Sequence, residues 1–427
     1  MKAHRFFVLF LLILTITATL WAEVKTLTID VDRADQLYRC GEPATFTVTA
    51  KEEDGVLSRE GKLTVQFQND FRKEISRHEI DLAKANPATL KETLTVPGFL
   101  SVRAVCGPIS ELAGCGYEVE KIQPAVPCPE DFNAYWADLK KQVRALPEDF
   151  KLEEIPELCS DKCTVYRLSI RTLGENKFAH GFLSVPKNQG DGPFPLWVMV
   201  PGAGPGCGPD LWQAKNGIMT LHMNVFPYPV SLNADERKKQ YDDFHVGLKS
   251  GLRYCQDGAT SRDTYFYRDA YVGIDRAIDV VAARPDVDKK RIVLIGVSQG
   301  GASALILGGL SDRWLAIVSS VPALCDHGGA KLDRSPGWPK LYDAVKDPAA
   351  EAVGPYFDGE NFARNIHCPI RVTVGFIDTT CSPSSVYAAY NVIPSTDKQM
   401  GNEVKRGHAT GQKHSDASQW LRKMIGK

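Results

Sequence analysis

The sequence predicts an α/β domain built on a mostly parallel sheet and preceded by a small all-β unit. Three observations carry this. From residue 121 onward, short apolar runs alternate with amphipathic helical stretches, as β-α-β connections require. Between residues 23 and 120, runs rich in Val, Thr and Phe follow one another with turn residues between them and few helical signals. At 427 residues the chain also exceeds the length at which one core keeps growing, so two units are expected.

The first element is a leader. "MKAHRFFVLFLLILTITATLWA" has Lys2 and Arg5 ahead of a purely apolar stretch, Phe6 to Leu14, and then small residues. The stretch is too short to span a bilayer and reads as a signal peptide, residues 1–22, cut after Ala22 or, second, Ala18. Secretion, or export to a periplasm, is the expected localisation, with no membrane partner after cleavage. The all-β unit (23–120) is carried by "TLTIDV", "ATFTVTA", "KLTVQFQ", "ETLTVP" and "FLSVRAVC". The count and spacing suit an immunoglobulin-like sandwich acting as an accessory module. A sugar-binding role for it lacks an exposed aromatic cluster.

"KIQPAVPCPEDF", with its three prolines, is the linker into the second domain (121–427), and "FNAYWADLKKQVRAL" opens that domain as an amphipathic helix. "CTVYRLSIRT" and "AHGFLSVP" read as paired strands. "PLWVMVPG", "GIMTLHMNVF", "RIVLIG", "WLAIVSSVP" and "IRVTVGF" are the apolar runs of strands buried on both faces. In "RDAYVGIDRAIDVVAARP", Tyr271, Ile274, Ile278 and Val281 form one helical stripe that Pro285 ends. "ASQWLRKMI" is the closing helix, and residues 228–266 read as an excursion above the sheet.

Hydrophobic residues at 43%, charged residues at 24% and a net charge of −1 are those of an ordinary globular protein. They argue against nucleic acid or an anionic membrane surface as a partner. Eleven cysteines in an exported chain raise the question of disulfides. Cys159 and Cys163 are spaced to close a short loop, and Cys40, Cys106 and Cys115 to staple the β unit; the connectivity stays open. Zinc lacks a second ligand pair at suitable spacing, so no metal site is expected.

The chemistry centres on "IGVSQGGASALIL". Ser298 stands between Gly296 and Gly300 where a predicted strand runs into a predicted helix. A nucleophile elbow needs that context, because the serine adopts a sparsely populated backbone conformation and side chains at −2 and +2 would collide. Gly301 lets the helix approach the next strand. Serine attacks a carbonyl only when a base takes its proton and a third group orients the base. In the α/β-hydrolase order of serine, acid, histidine, Asp378 at the end of "IRVTVGF" is the acid and His408 in "KRGHATGQKH" the base. His414 is the competing base and Asp326 in "ALCDHGG" the competing acid. Main-chain N–H groups of Gln299, at the helix start, and of Ala203, in "VMVPGAGPGCGP", are the candidate oxyanion donors. That loop is no phosphate cradle, since no Gly-Lys-Ser/Thr follows. Acyl transfer to water calls for no cofactor.

Four stretches, "SRDTYFYRDAYVGIDRAI" (261–278), "RIVLIGVSQGGASAL" (291–305), "VPALCDH" (321–327) and "VGFIDTTCSPSSVYAAYN" (374–391), resemble the acetyl xylan esterase and cephalosporin-C deacetylase family, the seventh among carbohydrate esterases. The resemblance spans roughly residues 128–427. It implies an α/β-hydrolase fold, removal of acetyl groups from sugar hydroxyls, and the roles of Ser298, Asp378, His408 and Gln299 given above. Acetylated xylan or a related sugar is the implied substrate, and a homo-oligomer is a possible assembly, since the family often forms hexamers. Two positions depart from the family's pattern. Pro201-Gly202-Ala203 replaces its usual His-Gly-Tyr, and Ala409 stands where Glu commonly follows the histidine.

The expected activity is therefore that of a secreted serine esterase. A prolyl-oligopeptidase-like peptidase shares the elbow, but a propeller at ~40–45 residues a blade does not fit the residues ahead of the α/β domain. A non-catalytic carbohydrate-binding protein on the same fold is the alternative of a different class.

Overall fold

Residues 24–188, 190, 192–248 and 250–427 are described by the computed structural model, so the leader expected at 1–22 lies outside the described residues. Alternation of apolar and polar residues governs the first unit. Ala44, Phe46, Val48 and Ala50 are buried along one strand, and Leu63, Val65 and Phe67 along another. Eight strands result, in two sheets. One has the order Thr26–Val31, Ala44–Lys51, Ala88–Glu92; the other has the order Leu37–Tyr38, Ile109–Tyr117, Gly98–Cys106, Lys62–Asn69, Lys73–Asp81. All pairings are antiparallel except that of Leu37 and Tyr38 with Gly116 and Tyr117. The sheets share one core, where Phe46 of the first meets Phe67 of the second edge to face at 5.3 Å.

The structure departs from the sequence expectation at three points. The strand expected in "ETLTVP" lies earlier, at Ala88–Glu92, and the chain bends at 95–97. Strands Lys73–Asp81 and Ile109–Tyr117 add to those expected. The disulfides expected at Cys159–Cys163 and within the β unit are not formed: all eleven cysteines are free thiols. Cys159 Sγ instead accepts the Val165 N–H at 3.3 Å.

The second unit is a mixed α/β structure on a nine-stranded sheet. Its order is Lys398–Glu403, Ile370–Gly375, Ala316–Ser320, Val287–Val297, Phe194–Val200, Met219–Met223, Phe178–Pro186, Cys163–Arg171, Lys151–Glu154. The first six strands run parallel; the last three pair antiparallel. Helices cover both faces. On one, Tyr271, Ile274, Ile278 and Val281 of helix Phe266–Ala282 pack with Trp136, Leu139 and Val143 of helix Phe132–Ala145. On the other, Ala417 and Leu421 of helix Gln412–Met424 meet Trp197, Val293, Ile295 and Val318. The excursion at 228–266 carries helix Ala234–Gly247 and a 3-10 turn, Tyr254–Gln256.

The two units are packed together. Phe99 lies 5.0 Å from the Phe376 ring and 5.6 Å from that of Tyr387. Gly114 approaches the α/β domain so closely that a Cβ on it would stand 2.3 Å from the Phe376 carbonyl oxygen. Arg72 forks onto Asp343 at 2.8 and 3.0 Å.

Candidate active site

Ser298 sits where strand Val287–Val297 turns into helix Gln299–Leu310, with φ 59° and ψ −119°. That backbone is strained for a residue with a side chain, and the surroundings enforce it. A Cβ on Gly296 would stand 2.0 Å from the Gly300 carbonyl oxygen, and one on Gly300 2.2 Å from that of Val200. Gly301 lies equally close to the next strand, where a Cβ would meet the Ser320 oxygen at 2.6 Å. The glycines around Ser298 are thus a steric requirement of the turn.

The candidate acid follows strand Ile370–Gly375. Asp378 is fully buried, and its Oδ1 accepts the main-chain N–H groups of Thr380 and Cys381 at 2.8 and 2.9 Å. Its Oδ2 meets His408 Nδ1 at 2.8 Å, and His408 Nε2 meets Ser298 Oγ at 2.8 Å. The carboxylate sets the imidazole tautomer: Nδ1–H donates to Asp378, which leaves the Nε2 lone pair for the serine proton. His408 is carried by the 404–411 loop, which is laddered to the strand that precedes Asp378. The Phe376 N–H donates to the Glu403 oxygen and the Ile377 N–H to the Arg406 oxygen, each at 3.2 Å. Glu403 Oε1 also accepts the Lys413 N–H at 2.7 Å, which ties the residue before the loop to the helix after it.

The competing residues are placed elsewhere. His414 Nδ1 pairs with Ser320 Oγ at 2.8 Å. Asp326 accepts the Ala125 N–H with one oxygen and holds Arg334 with the other, at 2.8 and 2.7 Å respectively. Both are structural in this arrangement.

The candidate oxyanion donors are the residue after the serine and one on the 201–210 loop. Gln299 N–H heads its helix, and neither it nor the N–H of exposed Ala203 has a partner among the described residues. A Cβ on Gly202 would lie 3.9 Å from that of Ser298, so this loop's backbone runs past the hydroxyl. Sequence reading missed how the loop is held. Gln299 Oε1 accepts the hydroxyls of Tyr254 and Tyr267 at 2.5 and 2.9 Å, and its Nε2 reaches the Pro201 oxygen at 3.5 Å. Burial keeps both phenols well above their ordinary range, so they remain donors. Farther along the loop, Asn224 clamps Cys207 through both N–H and C=O, at 3.1 and 3.3 Å. Cys207 Sγ also lies 2.7 Å from His222 Nε2. Burial raises that thiol to about 12 and lowers that imidazole to about 4, so the pair is neutral and is no second nucleophile. The tyrosines lie 45 and 32 residues before Gln299, and no local pattern announces the contact.

A family profile described as acetyl xylan esterase (AXE1) matches residues 116–424. Acetyl esterase Axe7A of Xylanibacter ruminicola is 28% identical over 402 residues, covering 92% of this chain and 89% of that protein. An alignment of that length takes in most of the N-terminal strands as well. Acetyl xylan esterase 1 from Thermoanaerobacterium sp. JW/SL YS485 superposes with a TM-score of 0.60 at 23% identity, over 72% of this chain and 97% of its own. The acetyl xylan esterase from Paenibacillus sp. R4 does so with a TM-score of 0.60 at 21% identity, over 72% and 98%. At such identities the two superpositions speak for the fold alone. The profile match covers well over half of the sequence, and on it the chain belongs to the acetyl xylan esterase (AXE1) family, as a carboxylic ester hydrolase on an α/β-hydrolase fold.

Proposed function

We propose that this chain is a secreted serine esterase that removes acetyl groups from acetylated xylan or related sugars, with Ser298 as nucleophile, His408 as base and Asp378 as acid. Ser298 Oγ attacks the acetyl carbonyl while His408 Nε2 takes its proton. The imidazolium that forms is held by the Asp378 carboxylate through Nδ1–H. Negative charge gathers on the former carbonyl oxygen, where the N–H groups of Gln299 and Ala203 receive it; one such donor is worth ~3 kcal/mol in the transition state. His408 then returns the proton to the departing sugar oxygen. It next activates a water that releases acetate and restores the serine.

One observation carries this reading: the His408 ring stands 2.8 Å from both Ser298 Oγ and Asp378 Oδ2. Family membership and the name of the Xylanibacter ruminicola relative, an acetyl esterase, support an acetyl ester as substrate. The leader at 1–22 supports export. The two β sheets ahead of the α/β domain fit an immunoglobulin-like accessory domain over 23–120. The test is Ser298→Ala, with the fold checked by circular dichroism. Turnover of an aryl acetate and acetate release from acetylated xylan should both vanish; retention of either overturns the assignment.

A further inference from the structure

The N-terminal unit meets the α/β domain next to the segment that carries Asp378, and one side chain there has no evident structural purpose. Asp70 lies at the tip of the hairpin joining Lys62–Asn69 to Lys73–Asp81, and it is fully buried. Neither of its carboxylate oxygens makes a hydrogen bond of ordinary geometry. Facing them across the boundary are the hydroxyls of Ser382 and Ser384, with the Arg334 guanidinium as the cation whose field reaches them and Asp326 as the opposing charge. The Ser384 hydroxyl is likewise buried without a partner. A carboxyl group buried there without a hydrogen-bond partner costs stability in either protonation state.

The hairpin tip is forced into position. Asp70 and Phe71 both take left-handed backbone, φ 49° and 56°, which side chains disfavour. The Asp70 N–H donates to the Phe99 oxygen at 2.8 Å and the Phe71 N–H to Ser101 Oγ at 2.6 Å. On the surface, Arg72 forks onto Asp343 and Lys73 reaches Asp333 at 2.5 Å, both residues of the α/β domain. The far side of the contact leads to the active site in a few residues. Ser382 is the N-cap of helix Pro383–Asn391 and accepts the Ser385 N–H. Its hydroxyl donates to the Ser335 oxygen, and the Thr380 oxygen accepts the Trp338 N–H at 3.0 Å. Thr380 and Cys381 in turn supply the two N–H groups that hold Asp378.

We propose that Asp70 is a positioning residue for the esterase site: lodged against Ser382 and Ser384, it fixes the start of helix Pro383–Asn391 and so the Asp378 carboxylate. This assigns the accessory unit a part in the reaction, and it rests on the reading of Asp378 as the acid.

The experiment compares Asp70→Ala, Asp70→Asn and Ser298→Ala in the full chain, with kcat and KM for an aryl acetate. Asp70→Ala should lower kcat by about tenfold with KM little changed, as expected for a slightly displaced catalytic group. Asp70→Asn keeps the shape and can still meet both hydroxyls, so it should retain most of the activity. A folded Asp70→Ala with unaltered kcat overturns the proposal, and so does a loss in Asp70→Asn as large as that in Asp70→Ala. If Asp70→Ala does not fold, Ser384→Ala, which removes a hydroxyl facing Asp70, decides: reduced kcat at constant KM supports the proposal, and unchanged kcat overturns it. Activity surviving in Ser298→Ala would instead refute the underlying reading of the site, so the two failures are distinguishable.

Discussion

Gly375 is where a single methyl group should disable the site without touching any of its three reacting side chains. It ends the strand that leads to Asp378, and the loop bearing His408 lies directly on it. A Cβ at this position would stand 2.3 Å from the Arg406 oxygen and 2.7 Å from that of Gly407, against an ordinary contact of 3.4 Å or more. In Gly375→Ala the loop must therefore retreat by about 1 Å to reach normal van der Waals contact. His408 is the residue after Gly407 and moves with it. Its Nε2 then leaves the 2.8 Å contact with Ser298 Oγ for a separation no longer compatible with a hydrogen bond. A misplacement of that size costs ~100-fold in rate, and the crowding itself ~1–3 kcal/mol of stability. Steady-state hydrolysis of an aryl acetate measures the first and chemical denaturation the second. A Gly375→Ala protein with parental kcat would refute the claim that the backbone ladder between strand and loop sets the base.

Other perturbations probe the neighbouring contacts. His408→Ala should lower kcat by about 10⁴-fold or more, whereas His414→Ala, which removes only the partner of Ser320, should leave aryl acetate turnover near the parental rate. Gln299→Ala strands the buried hydroxyls of Tyr254 and Tyr267, and should reduce unfolding free energy by ~2–4 kcal/mol in a urea titration. Burial pushes the Asp70 carboxyl up to about 7 from an unfolded value of 3.8, with Arg334 opposing and Asp326 adding to the rise. Its protonation therefore stabilises the folded chain below about pH 4, and that contribution is lost as pH rises through about 7. Melting temperatures from pH 5 to 9 should accordingly fall less in Asp70→Asn than in the parent.

What was legible in the sequence depended on whether the physical constraint was local. Strands Phe194–Val200, Ala316–Ser320 and Ile370–Gly375 are covered on both faces, so their apolar runs are continuous and announce themselves. Lys398–Glu403 and Lys73–Asp81 lie at sheet edges and carry Lys, Gln, Glu and Arg, so nothing in their residues separates them from loop. The elbow was readable because its glycines answer clashes within five consecutive residues and with the adjoining strand. Asp378 and His408 were candidates from their order after Ser298 and the position of Asp378 behind a strand, and the fold brings both to it. The clamp of Gln299 by two tyrosines was not readable, nor was the lodging of Asp70 against Ser382 and Ser384. Those contacts join residues tens to hundreds of positions apart, and only the folded chain brings them together.

The three groups of the proposed triad also differ in their access to water, in a way that suits the part proposed for each. Asp378 is fully buried, yet it accepts two main-chain N–H groups and faces the imidazole Nδ1, which together compensate for lost hydration. His408 has a side chain 26% exposed, so its ring is within reach of the water that must finish the reaction. Ser298, on the far side of the ring, is half-buried on a corner where Gly296 and Gly300 leave no room for a Cβ. A closed acid and an open base are compatible only if the ring between them is held by its backbone rather than by enclosure. That requirement is met by the ladder from Phe376 and Ile377 to Glu403 and Arg406.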